Sequence, residues 1–176
     1  MRPSTSTIDT NPPSTGPVEI LPPQLAHGAG MWRVARDSGA LELNTSYAYL
    51  LWARDFSATC RVALLDGEVV GFVSGYLRPD APDRLFVWQV AVDSRLRGQG
   101  VAARLIDELA SAHPQATALE TTITDDNAAS NRLFASFAER RGAEHRTERG
   151  FDVGDFPDGH EAEVLHVIAP LHPAAT

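Results

Sequence analysis

The spacing of apolar positions changes twice along the chain. Over 27–37 and 46–56 they recur at helical spacing, with aromatics at 47, 49, 52 and 56 on the second segment. Pro22-Pro23 introduces the first helix and Ser38-Gly39 ends it. From residue 60 the pattern is β-rich: runs 60–65 and 68–77 are joined by Asp66-Gly67, a strong hairpin signal. Arg78-Pro79-Asp80-Ala81-Pro82-Asp83 reads as a turn. The run 85–92, Leu-Phe-Val-Trp-Gln-Val-Ala-Val, is apolar on both faces and predicts a central strand. A helix over 98–112, stopped by Pro114, a strand over 117–124 and a helix over 127–141, stopped by Gly142, follow. Strands at 143–151 and 163–169 complete the order α-α-β-β-β-α-β-α-β-β, with no internal repeat. One α/β domain over 18–170 is the expectation. Residues 1–17, rich in Ser, Thr and Pro, predict a disordered tail, and 171–176 a short C-terminal one.

Composition narrows the chemistry. At 176 residues, 43% hydrophobic and 22% charged, the chain suits one soluble domain. It has no apolar run of about 18 residues to cross a membrane and no apolar secretory core near its start, so a cytoplasmic location is expected. Cys60 is the only cysteine, which excludes an internal disulfide or a cysteine-rich metal site; in Thr-Cys-Arg-Val-Ala-Leu-Leu it reads as a small buried hydrophobe. All 15 Lys+Arg residues are arginines, which excludes a lysine Schiff base and a P-loop. The net charge of −8 opposes binding to nucleic acid or an anionic membrane. That charge is uneven. Residues 120–163 hold 11 acids against 5 arginines, and 152–163 hold five acids and no arginine. Such a run is either a solvated loop or a surface that attracts a cationic ligand.

The segment Val90-Ala-Val-Asp-Ser-Arg95-Leu-Arg97-Gly98-Gln99-Gly100-Val101-Ala102 carries the strongest chemical signal. A central strand runs through two arginines and two glycines directly into a helix. Glycines let backbone N–H groups converge, the helix N-terminus adds partial positive charge, and arginines add charge-assisted bonds, which together suit a pyrophosphate. The dinucleotide fingerprint does not fit: Ala103 stands at the third glycine position and no acid follows at the required place.

Arg95-x-x-Gly98-x-Gly100 after an apolar strand resembles the acetyl-CoA loop of the GCN5-related N-acetyltransferase (GNAT) family. Asn127-Ala-Ala-Ser130-Asn-Arg-Leu-Phe134 is similar to that family's later helix. The resemblance covers about 18–169 and implies a GNAT fold: an α/β (α+β) domain with a mixed, mostly antiparallel sheet flanked by helices. It further implies that strand 87–92 splays from 119–123, freeing backbone groups for pantetheine. Acetyl-CoA is then the cosubstrate, held by Gln89, Val90, Ala91, Val92, Arg95, Arg97, Gly98, Gln99, Gly100, Val101, Ala102, Asn127, Ser130 and Phe134. Further segments, among them Met31-Trp32, 41–51, 71–76, 85–92 and His160-Glu-Ala-Glu163, resemble a branch of the family that acetylates the γ-amine of L-2,4-diaminobutyrate in ectoine synthesis. A homodimer is expected from the same resemblance.

Amine acetylation requires a polarised carbonyl, a deprotonated amine, alignment and a thiolate that can leave. The resemblance assigns polarisation to a strand N–H near Val90 or Val92. Two positions depart from the family pattern: Trp88 replaces a glutamate base, and Phe134 replaces a tyrosine acid. His160 and Glu163 are therefore the candidate catalytic pair, since an imidazole titrates near working pH. Glu42, Asn44, Tyr47, Trp88 and Glu161 are the candidate diamine ligands, by ion pairing or cation–π contact. A metal on His160, Glu163 and His166 fits no ligand spacing, and none is expected. Tyr47, Tyr49 and Trp52 read as core aromatics more readily than as site residues. Two other functions fit the residues: acetylation of another polyamine or a peptide N-terminus, and a non-catalytic acyl-CoA-binding module.

Overall fold

In the computed structural model, which describes residues 16–39 and 41–172, Asp66-Gly67 closes the expected hairpin. Strands β2 (Cys60–Leu65) and β3 (Glu68–Arg78) pair antiparallel, with Leu65 opposite Glu68. The next turn is tighter than the sequence suggests. Strand β4 (Ala81–Val92) begins two residues after Pro79, and its register with β3 jumps from Leu77 opposite Leu85 to Arg78 opposite Ala81. Pro82 lies in that irregularity, where the ladder does not need its missing N–H.

Strands β5 (Ala118–Ile123), β6 (Glu144–Phe151) and β7 (Glu163–Ala169) extend the sheet. A short strand β1 (Glu19–Leu21), which the sequence reading missed, pairs with β2 at the other edge. Three residues are too few to show an alternation. The seven strands lie in the order β1-β2-β3-β4-β5-β7-β6, and only β4 and β5 run parallel.

Helices α1 (Gly28–Ser38) and α2 (Ser46–Asp55) cover one face, where Met31, Val34 and Tyr49 pack with Phe72 and Val69. Helices α3 (Val101–Ser111) and α4 (Ala128–Arg141) cover the other, where Leu105, Ile106, Leu109, Phe134 and Phe137 pack on Leu85, Leu119 and Ile168. Each such side chain contributes about 1.5–3 kcal/mol by leaving water. The helix expected from residue 98 starts at Val101, because Gly98 and Gly100 have positive φ.

Cys60 is buried, and burial pushes its thiol up to about 12. At the C-terminus, Leu171 is buried and its N–H donates to Thr117 O at 2.8 Å, so the core reaches past residue 170. Residues 1–15 and 173–176 of the expected tails lie outside the described residues.

Candidate active site

The sheet is open in the middle. Strands β4 and β5 pair only at Arg84–Ala118, Leu85–Leu119 and Phe86–Glu120. Beyond Phe86 the two diverge, so the expected splay begins at Val87 and Thr121, two residues later on β5 than the family resemblance implies. Backbone groups of 87–92 that would face β5 have no strand to bond.

A bulge lies at the fork. Ser74 opposes Gln89 and Gly75 opposes Val87, leaving Trp88 as the extra residue on β4. The extra residue resets the alternation. Leu85 and Val87, then Val90 and Val92, pack toward α3 and α4, while Ala91 joins the α1–α2 cluster and Gln89 is bonded by Tyr49. Residue 75 must be glycine here, since a Cβ would lie 2.4 Å from Phe86 O. Trp88 packs on Trp52 (ring centroids 5.0 Å), and Trp52 on Phe56 (4.8 Å).

A cleft of about 860 Å³ occupies the fork and passes through the sheet. Val87, Val90, Asn127, Ser130 and Phe134 line it on the α4 side, and Glu42, Asn44, Trp52 and Trp88 on the α2 side. Gln89 also lines it. Its buried amide accepts from Tyr49 Oη and donates to Glu42 O, both at 3.1 Å, which ties the 41–45 segment to β4. Asn127 caps α4, its Oδ1 accepting from Ser130 N–H at 3.1 Å. Its amide nitrogen and the second lone pair of Oδ1 remain for a ligand. Phe134, buried at the cleft wall, has no hydroxyl to protonate a thiolate.

Both arginines of the glycine loop have partners within the protein. Arg95 Nε and Nη2 donate to Asp93 at 3.0 and 2.8 Å, and Arg97 Nη2 donates to Ser38 O at 2.8 Å. The Arg95 guanidinium holds the Asp93 carboxyl down at about 2. What the loop offers is backbone. Gly98 and Gly100 both have φ of 76°, and a Cβ at either meets nothing within 4 Å, so the glycines are needed for conformation and the surface beside them is open. The first helical bond runs from Arg104 N–H to Gly100 O, so Val101, Ala102 and Ala103 have no helical acceptor for their N–H groups. The side chains of Ala91 and Val101 are buried in the two cores, which leaves these residues only backbone to offer. Neither Val92, Gln99 nor Ala102 lines the cleft; the Gln99 side chain donates to Arg95 O.

On the α2 face, the acidic 152–163 segment folds over the cleft and contributes Phe156, His160 and Glu163 to its wall. His160 Nδ1 lies 2.7 Å from Glu161 O. A carbonyl only accepts, so the proton is on Nδ1 and Nε2 carries the basic lone pair. Nε2 is 3.8 Å from Glu163 Oε1, and Thr122 Oγ1 donates to the other Glu163 oxygen. The imidazole pKa is raised above the usual 6.5, first by the bond to Glu161 O, then by the charges of Glu163, Glu42 and Asp158.

Two expected ligands are elsewhere. Tyr47 is 66% exposed and does not line the cleft, because it lies about 200° around α2 from the buried Tyr49. The exposed Glu161 contributes its carbonyl, and its side chain does not line the cleft. His166 faces away from His160 and bonds His145 at 2.9 Å. Conversely, Trp52, Tyr76, Arg78, Asp80, Thr122, Arg149 and Phe156 line the cleft without having been singled out as ligands. Only the helical period of Trp52 offered a signal in the sequence.

A splayed parallel pair, a bulge at the fork and a glycine loop feeding a helix define an acyl-CoA transferase. The model of the Acetyltransferase (GNAT) family matches residues 30–138, and the chain belongs to that family. The L-2,4-diaminobutyric acid acetyltransferase of Streptomyces coelicolor is 57% identical over 160 residues, covering 88% of this chain and 94% of that protein. The enzyme of the same name from Halomonas elongata is 40% identical over 162 residues, covering 88% and 82%. Among solved structures, the diaminobutyrate acetyltransferase EctA from Paenibacillus lautus, in complex with L-2,4-diaminobutyric acid and coenzyme A, is 38% identical. Its TM-score is 0.84, with 91% of this chain and 99% of that one covered. Ard1 from Thermoplasma volcanium, 20% identical with a TM-score of 0.71, shares the fold.

Proposed function

We propose that this protein transfers the acetyl group of acetyl-CoA to the γ-amine of L-2,4-diaminobutyrate, giving N4-acetyl-L-2,4-diaminobutyrate for ectoine synthesis and osmoprotection. The observation that carries the reading is the His160–Glu163 pair facing a cleft that passes through the splayed sheet. The thioester enters the fork from the α4 side and the diamine meets it from the α2 side. The neutral His160 Nε2 takes a proton from the γ-ammonium, and Glu163 stabilises the imidazolium that results. The amine lone pair then adds to the thioester carbonyl, whose oxygen is stabilised by an unpaired β4 N–H near Val90. The C–S bond breaks, the nitrogen gives its second proton to solvent, and the thiolate leaves as CoA, protonated from solvent since Phe134 is no acid. Glu42, Asn44 and Trp88 hold the second ammonium by ion pairing, hydrogen bonding and cation–π contact. The protein works as a cytoplasmic homodimer, a reading supported by family resemblance.

Mass spectrometry of the product with acetyl-CoA and the diamine tests the reaction. The base must be neutral, so kcat/KM for the diamine falls as pH drops through the His160 pKa, with a midpoint above 6.5. His160→Ala should lower kcat and abolish that limb. A variant that keeps both the rate and the limb removes His160 from this role.

A further inference from the structure

Three cationic or basic side chains line the cleft: Arg78, Arg149 and His160. His160 faces Glu163, and Arg149 is 81% exposed at the rim, paired with Asp152. Arg78 is built in differently. Its Nη1 donates to Glu120 at 2.9 Å, a carboxylate only 4% exposed that Arg84 also holds at 2.8 Å. Its Nε and Nη2 chelate Asp80 at 3.2 and 3.0 Å, and Asp80 is 70% exposed. A guanidinium has five N–H donors, so one remains on each terminal nitrogen. Arg78, Arg84 and Glu120 together carry one net positive charge, balanced by a solvent-exposed carboxylate that a ligand carboxylate can replace without stranding a buried charge.

We propose that Arg78 binds the carboxylate end of the amine substrate, so that the site selects a diamino acid over a plain diamine. The proposal rests on the acetyl-transfer reading and adds to it the group that recognises the non-reacting end. The spacing is suitable. Glu120 and Thr122 are two residues apart on one face of β5, about 6.4–6.8 Å, and Thr122 holds Glu163. Arg78 on Glu120 and His160 beside Glu163 thus stand at neighbouring positions along the same strand. An extended diamino acid spans about 5 Å, four bonds, from γ-nitrogen to carboxyl carbon, which allows its amine to reach His160 while its carboxylate meets Arg78. Glu120, held from two sides, fixes the guanidinium in advance of binding.

The test compares L-2,4-diaminobutyrate with 1,3-diaminopropane, the same two amines on the same carbon chain without the carboxylate, at saturating acetyl-CoA. The wild-type protein should prefer the diamino acid. Arg78→Met should lower kcat/KM for the diamino acid about tenfold to a hundredfold and for diaminopropane less than about twofold. Asp80→Asn, an exposed change that leaves the buried set intact, should raise kcat/KM for the diamino acid alone by removing the competing charge and freeing one donor. Equal losses on both substrates in Arg78→Met, unchanged discrimination in Asp80→Asn, or loss of discrimination in Arg149→Gln instead would overturn the assignment. Acetylation of diaminopropane with no preference for the diamino acid also overturns it while leaving acetyl transfer standing. If the wild-type protein acetylates neither amine, the underlying reading falls and this one with it.

Discussion

Replacing Gly75 by alanine tests whether the β3–β4 bulge sets the geometry of acetyl transfer. The new Cβ would sit 2.4 Å from Phe86 O and 3.3 Å from the Phe86 carbonyl carbon, both backbone atoms that no side-chain rotation can move. Ordinary contact begins at 3.4 Å, so β3 and β4 must separate by about 1 Å at Phe86, the last paired residue before the fork. Overpacking of this kind costs about 1–3 kcal/mol, or roughly 2–12 °C in Tm for a chain of this size. The catalytic effect should be larger than the stability effect suggests. A displacement of about 1 Å at a reacting centre is worth about a hundredfold, and the displaced strand carries the N–H groups proposed to polarise the thioester. Thiol release from acetyl-CoA, followed with a chromogenic disulfide at saturating diamine, should show kcat down by about tenfold to a hundredfold. Gly154→Ala is the control, since a Cβ there meets nothing within 4 Å. If Gly75→Ala retains wild-type kcat and Tm, the bulge tolerates the movement and the argument from close approach is wrong.

Two further outcomes follow from buried polar contacts. Gln89→Leu removes both 3.1 Å bonds and takes the acceptor from the buried Tyr49 hydroxyl proton, while the hydroxyl oxygen keeps its contacts with Asn44, at a cost of about 1–3 kcal/mol. It should raise KM for the diamine with little change for acetyl-CoA, because it frees the segment that carries Glu42; in urea melts Gln89→Leu should cost less stability in a Tyr49→Phe background than in the wild type, and equal losses would discount the bond. Asp93 has its pKa lowered from 3.8 to about 2 by Arg95, so its contribution is present above about pH 4 and is lost as pH falls through about 2. Because Arg95 is 60% exposed and solvent screens the pair, denaturation curves of Asp93→Asn and wild type should differ by up to about 1 kcal/mol at pH 7 and converge near pH 2; a pH-independent gap would mean that the ion pair contributes nothing.

The sequence by itself determined what depends on neighbours in the chain. Helical and strand periods, the Asp66-Gly67 turn, the helix stops and the strand–glycine–helix loop are all settled within about ten residues, and each is found near its expected place. The calculus changes where partners are distant. Arg97 reads as a phosphate ligand because the loop suits an anion, yet the C-terminal carbonyl of α1 engages it, and only α1 docking beside the loop brings Ser38 within reach; the Arg95–Asp93 pair, two residues apart, is by contrast local. Tyr47 and Tyr49 are equivalent as residue types; the side of α2 that meets β4 decided which is buried. Trp88 acquired its position from a register shift set across the sheet by Gly75, a residue 13 positions earlier that no local pattern links to it. Arg78, Arg84 and Glu120 converge from three strands onto the foot of the fork, and their charges are compatible only once β5 lies beside β4. Local propensity is a sum over near neighbours and can be read along the chain. Which side chains share a cleft depends on strand order and register, which the packing of the two cores against the sheet decides.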